Sequence, residues 1–224
     1  MSNPAGSKDL HGNAPDNAPV VLLIIDAIND LAFEEGREVL GKAIRMAHKI
    51  RLLKARARRV GIPAIYVNDN FGRWRSDFRT VVAHCGRSTS RGREVTRLLR
   101  PDSLDYFVLK PKHSGFFSTT LELLLEHLQA RTLILCGLLT DVCVLFTAQD
   151  AYMRGYRILV PADCVVARTA AEGTRALALM HRVLDADTRP STDLQLSAPA
   201  HSPGHADRIN RAVKGRRAIR RAVA

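Results

Sequence analysis

The sequence predicts an open, doubly wound parallel α/β sheet in a single domain, and three observations carry that prediction. Apolar runs of strand length alternate with segments of helical period. Those runs are continuously apolar, as strands covered on both faces of a parallel sheet are. Reactive side chains follow directly after several of them, where the connecting loops of such a sheet meet in a crevice. With 224 residues and 46% hydrophobic content, the chain can fill one well-buried core and is short for two.

The elements read in order as follows. Residues 1–18 are rich in Asn, Pro, Gly, Ala and Ser with little to bury, and read as a disordered leader. Order is expected from Pro19, where Val20 to Ile25 forms a buried strand that ends at Asp26. From Val39, apolar or small residues recur at Ala43, Met46, Ile50, Leu53, Ala57 and Val60, the stripe of a long helix that Gly61 stops. Ile62 to Val67 is a second strand, followed by Asn68-Asp69-Asn70 and an irregular stretch with Arg73, Trp74 and Arg75. A short helix over 91–100 ends before Pro101, and Tyr106 to Leu109 is a third strand running into Lys110.

Helix 118–129 has Ser118 or Thr119 as cap and buries Leu121, Leu124, Leu125 and Leu128. Leu133 to Cys136 is a fourth strand, and after Gly137 the chain turns at Thr140 into a helix through Met153. Gly155 precedes a fifth strand, Arg157 to Val160, and the last helix spans 170–184. Thr188 to Leu194 is expected as a sixth, edge strand limited by Pro190. The domain therefore spans residues 19–195, with a basic, flexible tail over 196–224.

The net charge of +12 is unevenly placed. Residues 204–224 hold seven Lys or Arg against Asp207, half of the excess, and Lys42 through Arg59 forms a second concentration on one helix. Solvated surface accounts for both. Nucleic-acid binding through the tail is the competing reading, which its lack of any aromatic residue for base stacking disfavours. No segment has the pattern of a signal peptide or the length of a membrane span, so a cytoplasmic protein with no membrane partner is expected. Cys85, Cys136, Cys143 and Cys164 lack CxxC or zinc spacing and read as free thiols. His201 and His205 are spaced as a helical metal pair, but Pro203 and Gly204 between them exclude the helix. No G-x-S-x-G, P-loop or G-x-G-x-x-G is present.

Three side chains occupy the carboxyl rim of the predicted sheet: Asp26 after strand one, Lys110 after strand three and Cys143 at the start of the helix after strand four. With Thr140 as N-cap, Cys143 lies in the first helical turn, where its amide lacks an intrahelical partner. The helix end and a nearby ammonium would favour thiolate, drawing the thiol from about 8.5 toward neutrality.

At these residues the chain resembles the isochorismatase-like cysteine hydrolase superfamily over residues 19–195. Leu22-Leu-Ile-Ile-Asp26-Ala-Ile-Asn29-Asp30 is similar to its strand-one acid motif. Lys110-Pro-Lys-His-Ser114-Gly-Phe116 is similar to its Lys-x-x-x-Ser-x-Phe segment. Gly137-Leu-Leu-Thr140-Asp141-Val-Cys143, continued by Thr147, Asp150, Ala151 and Gly155, is the most specific match.

The resemblance implies an isochorismatase-like hydrolase fold, Rossmann-like in layout, a catalytic triad of Asp26, Lys110 and Cys143, and a non-proline cis peptide before Leu139. The Leu139 and Cys143 amides would then face an oxyanion together. It further implies an amidohydrolase that opens a C–N bond of a small molecule through a Cys143 thioester, without a cofactor, in a homo-oligomer. Vinyl-ether hydrolysis of the isochorismate type, with Cys143 dispensable, is the enzymatic alternative. Nicotinamidases of the superfamily bind a metal through Asp-x-His and further histidines after strand two. Here Asp69-Asn70-Phe71 offers none, so no metal site of that type is expected. Phe33, Asn68, Trp74, Arg75 and Phe116 are the candidate pocket residues, with Arg75 suited to an anionic substrate.

Overall fold

The computed structural model describes residues 17–72 and 77–197. Six strands make one sheet: β1 (Val20–Ile25), β2 (Ala64–Asp69), β3 (Tyr106–Lys110), β4 (Thr132–Leu138), β5 (Arg157–Leu159) and β6 (Val165–Val166). All pair in parallel in the order β3-β2-β1-β4-β5, and β6 joins the end of β4 at Gly137 and Leu138. The chain winds outward from β1 through β2 to β3, then returns to place β4 on the other side of β1. This reversal opens a crevice beyond the carboxyl ends of β1 and β4.

Alternation along β1 divides the core. Leu22 and Ile24 face one layer, with α1 (Gly36–Arg59), α2 (Phe78–Cys85) and α3 (Arg93–Leu98) packed against that side. Val21, Leu23 and Ile25 face the other, covered by α4 (Leu121–His127), α5 (Leu145–Met153) and α6 (Ala170–Leu184). Burial on both faces is the reason these strands are apolar without a break. Gly137 lets β4 lie close to β1 at the crevice, for a Cβ there would stand 1.9 Å from the Ile25 carbonyl oxygen.

The structure departs from the sequence reading in several places. β2 continues two residues past Val67, because Asn68 and Asp69 pair with Leu109 and Lys110 of β3. The stretch after Asn70 read as irregular contains α2, capped by Asp77 accepting from the Thr80 amide at 2.7 Å. Neither Ser118 nor Thr119 takes the cap position of α4, which falls to Thr120. Thr188 to Leu194 adds no strand: Asp187 makes a single bridge to Leu159, and Ser191–Asp193 is a 3-10 turn held by Asp163. The sixth strand is instead Val165–Val166. Ala18, read as part of the leader, is buried, and Leu196, read as part of the tail, packs against the core; residues 1–16 and 198–224, with His201 and His205, lie outside the described residues.

Candidate active site

Asp26, Lys110 and Cys143 come together at the carboxyl rim. Asp26 leaves β1 in the left-handed region, φ 47°, with its N–H donating to the Val67 carbonyl at 2.9 Å. Its carboxylate thereby turns toward β2 and β3: Oδ1 accepts from the Asp69 amide at 2.7 Å, and Oδ2 meets Lys110 Nζ at 2.7 Å. Lys110 has no exposed side-chain surface and donates to the Lys112 carbonyl at 3.1 Å and toward Cys143 Sγ at 3.6 Å. Asp69 Oδ2 stands 3.8 Å from the same ammonium. Among the four cysteines, Cys143 alone is not fully buried.

Cys143 sits in an irregular turn. The Leu138–Leu139 peptide is cis, and Thr140–Val144 forms a π-turn before α5 begins. The Val142 and Val144 amides both donate to the Leu139 carbonyl at 3.1 Å. Thr140 is therefore not the cap: that position falls to Leu139, with no side chain capping the turn. The wide turn arises because Val144 reaches back five residues where an α-helix would reach four.

Thr147, wholly buried one turn along, ties this segment to the lysine loop. Its hydroxyl donates to the Cys143 carbonyl at 2.7 Å and accepts from the Gly115 amide at 3.0 Å. Gly115 is required there, since a Cβ would lie 2.8 Å from Val67 Cγ1.

Electrostatics set the resting protonation. Burial raises the Asp26 carboxyl above the ordinary carboxylate range, against the opposing pull of Lys110 and of a hydrogen bond with the Cys143 thiol. Burial alone would lower Lys110, but Asp26, Cys143 and Asp69 outweigh it and the ammonium is raised. Burial, then Asp26, pushes the Cys143 thiol up to about 12, with Lys110 only partly offsetting them. This corrects the expectation of a thiolate drawn toward neutrality. In the resting site the sulfur is a thiol beside a carboxylate and an ammonium.

The candidate pocket residues fare differently. Asn68 is wholly buried, and its amide donates to the Ile28 carbonyl at 2.7 Å, while its Oδ1 has no partner. Phe116 belongs to the core: its ring packs 6.1 Å from that of Tyr156 and under the Arg154 guanidinium at 4.7 Å. Phe33 is half-buried against the α1 layer. Trp74 and Arg75 lie outside the described residues.

Two residues without an assigned role join the site, Asp69 and Thr147. Asp69 had a readable signal, its position two residues past an apolar run, but ending that strand at Val67 hid its register with Lys110. Asp69 Oδ1 also accepts from the Phe71 amide at 2.6 Å. Among the described residues, no cluster of three or more His, Cys, Asp or Glu side chains is arranged to hold a metal ion.

Comparison with known proteins places this arrangement. A profile of the isochorismatase domain matches residues 20–188. The isochorismatase family protein YaaI of Bacillus subtilis is 39% identical over 170 residues, 76% of this chain and 93% of that protein. Streptothricin hydrolase of Streptomyces noursei is 30% identical over 142 residues, 63% of this chain and 48% of its own length. A crystal structure of N-carbamoylsarcosine amidase from Thermoplasma acidophilum superposes with a TM-score of 0.62 at 31% identity, covering 79% of this chain and 99% of that one. With the doubly wound sheet and a domain match over most of its length, the chain belongs to the isochorismatase family of hydrolases.

Proposed function

We propose that the protein is an amidohydrolase that opens a C–N bond of a small molecule through a thioester on Cys143. The observation that carries this reading is the sharing of one buried ammonium: Lys110 Nζ lies 2.7 Å from Asp26 and 3.6 Å from Cys143 Sγ. The sulfur thus has a base and a fixed cation beside it, the two aids a weakly acidic thiol needs in order to attack. Amide-cleaving relatives, N-carbamoylsarcosine amidase among them, support the bond type.

In the cycle, Asp26 takes the thiol proton as Sγ adds to the carbonyl carbon, and the carbonyl electron pair moves to oxygen. The Leu139 and Cys143 amides at the start of the turn receive that oxyanion. The intermediate collapses as Asp26 returns the proton to the leaving nitrogen, which departs as ammonia or an amine. Water then adds to the thioester, giving its proton to Asp26. A second collapse releases the carboxylic product, and the sulfur regains its proton. Lys110 keeps its charge throughout and balances whichever neighbour is negative. The substrate is a small molecule, the unit that performs the cycle spans residues 19–195, and it works as a homo-oligomer without a cofactor.

The test is a panel of N-carbamoyl amino acids, small primary amides and isochorismate, assayed with the full chain and its Cys143→Ala variant. The reading expects ammonia or amine release from at least one C–N substrate and none from the variant. Turnover of isochorismate alone, retained in Cys143→Ala, would identify a vinyl-ether hydrolase instead.

A further inference from the structure

Asp26 cannot neutralise Lys110 at every stage of the proposed cycle. While Asp26 carries the transferred proton and the sulfur is bonded to carbon, neither bears a negative charge. The lysine side chain meanwhile has no exposed surface and stays desolvated. An unpaired buried ammonium is costly, and burial favours its neutral form. The titratable groups against Lys110 are Asp26 from β1, Asp69 from β2 and Cys143 from the π-turn, with the Lys112 carbonyl as neutral acceptor. Among the described residues, Asp69 is then the remaining carboxylate within 4 Å, at 3.8 Å.

We infer that Asp69 is a positioning residue for catalysis, the standing counter-ion that keeps Lys110 charged and in place while Asp26 holds the proton. The inference rests on the proton transfer to Asp26 in the proposed cycle. Two further features suit it. Strand pairing fixes Asp69 opposite Lys110, and the Phe71 amide holds its Oδ1, so Oδ2 is left to face the ammonium. The side chain is about one third exposed (36%), so substrate does not have to displace a fully buried pair to reach the site. Asp69 also contributes to raising Lys110.

The experiment uses iodoacetamide alkylation of Cys143 followed by intact mass, which requires no substrate. The other three cysteines are buried. In the full-length Asp26→Asn variant, a neutral residue 26 imitates the proton-bearing stage, and the charge of Lys110 depends on Asp69. Adding Asp69→Asn, which can keep the Phe71 bond through its carbonyl oxygen, is expected to slow alkylation at pH 9 at least about fivefold, because a neutral lysine no longer favours thiolate. Asp26→Asn with Asp69→Glu is expected to recover most of the rate. Equal or faster alkylation after Asp69→Asn would overturn the inference.

Should the double variant fail to fold, Asp69→Asn alone is read on the C–N substrate found in the panel. A fall of about tenfold in kcat at unchanged KM, with the alkaline limb moved to lower pH, supports the inference. An unchanged profile overturns it. Loss of the amidohydrolase reading would appear separately, as turnover surviving Cys143→Ala.

Discussion

The molecule contains two lysines held between a buried and a more exposed aspartate, at opposite ends of the same sheet, and their difference is instructive. At the amino end of β3, Lys54 pairs with Asp105, which is nearly buried, and with Asp102 Oδ2 at 3.6 Å. It also donates to the Tyr66 hydroxyl at 3.2 Å, which in turn donates to the Leu99 carbonyl at 2.8 Å. Arg58 binds both aspartates, so two cations meet two anions, and burial together with those carboxylates keeps the Tyr66 phenol neutral. At the carboxyl end, Lys110 sits between Asp26 and Asp69, but its remaining partner is a thiol and no second cation is present among the described residues. The first cluster is closed and joins α1 to the loop before β3. The second is one positive charge short and holds a thiol. A buried ion cluster is therefore no sign of a site by itself; the sulfur at the crevice is what separates the two.

The comparison breaks most visibly in turnover. Cys143→Ala is expected to lower amide hydrolysis at least about a thousandfold, the order seen when a nucleophile is removed, whereas Lys54→Met should leave kcat within about twofold. Comparable losses from both variants would erase the distinction between the two ends.

Stability is the next lever. Lys110→Met leaves Asp26 buried and unpaired, and is expected to cost about 3–5 kcal/mol in urea unfolding at pH 7. Lys54→Met leaves Asp105 with Arg58 at 3.3 Å and the Asp102 amide at 2.8 Å. Its cost should be only about 1–2 kcal/mol, the scale of a lost hydrogen-bond partner. Combining Asp26→Asn with Lys110→Met should recover part of the larger loss.

The pH response sharpens the contrast further. Burial raises Asp26, so its base form disappears as pH falls while ordinary carboxylates, near about 3.9, are still ionised. The acid limb of kcat/KM is accordingly expected above that range. Alkylation of Cys143 in the unmodified protein should climb steadily from pH 7 to 10, since the thiol is pushed up to about 12. A plateau below pH 8 would restore the thiolate picture.

Thr147→Val is the smallest change. It removes the links to the Cys143 carbonyl and the Gly115 amide, and should cost about 1–2 kcal/mol with a several-fold fall in kcat. Thr147→Ser, which can make both bonds, should behave nearly as the parent.

Much of this architecture was legible in the chain. Continuous apolar runs marked β1, β4 and the other long strands because both faces are covered, and the span 170–184 expected for the last helix is that of α6, which begins at a Thr169 capping box. Asp26, Lys110 and Cys143 stood out because each ends or follows such a run, and the motif spacing joined them. What escaped followed from contacts rather than local preference. Asn68 and Asp69 favour turns, yet pairing with β3 holds them in a strand. The two residues of β6 are too few to carry a pattern. The signal for α2 was present, as Asp77 is a good cap and Phe78, Val81 and Cys85 share a face, but the polar segment before it masked the start. The protonation expected of Cys143 differed because sequence displays the nearby lysine and aspartate but not the burial that outweighs the lysine.

The most direct measurement is intact mass on acid-quenched protein mixed with its C–N substrate, with the modified peptide located by fragmentation. The account predicts a mass increase equal to the acyl portion of the substrate, on Cys143, absent from Cys143→Ala. Full turnover by Cys143→Ala, or an acyl group located on another residue, would contradict it.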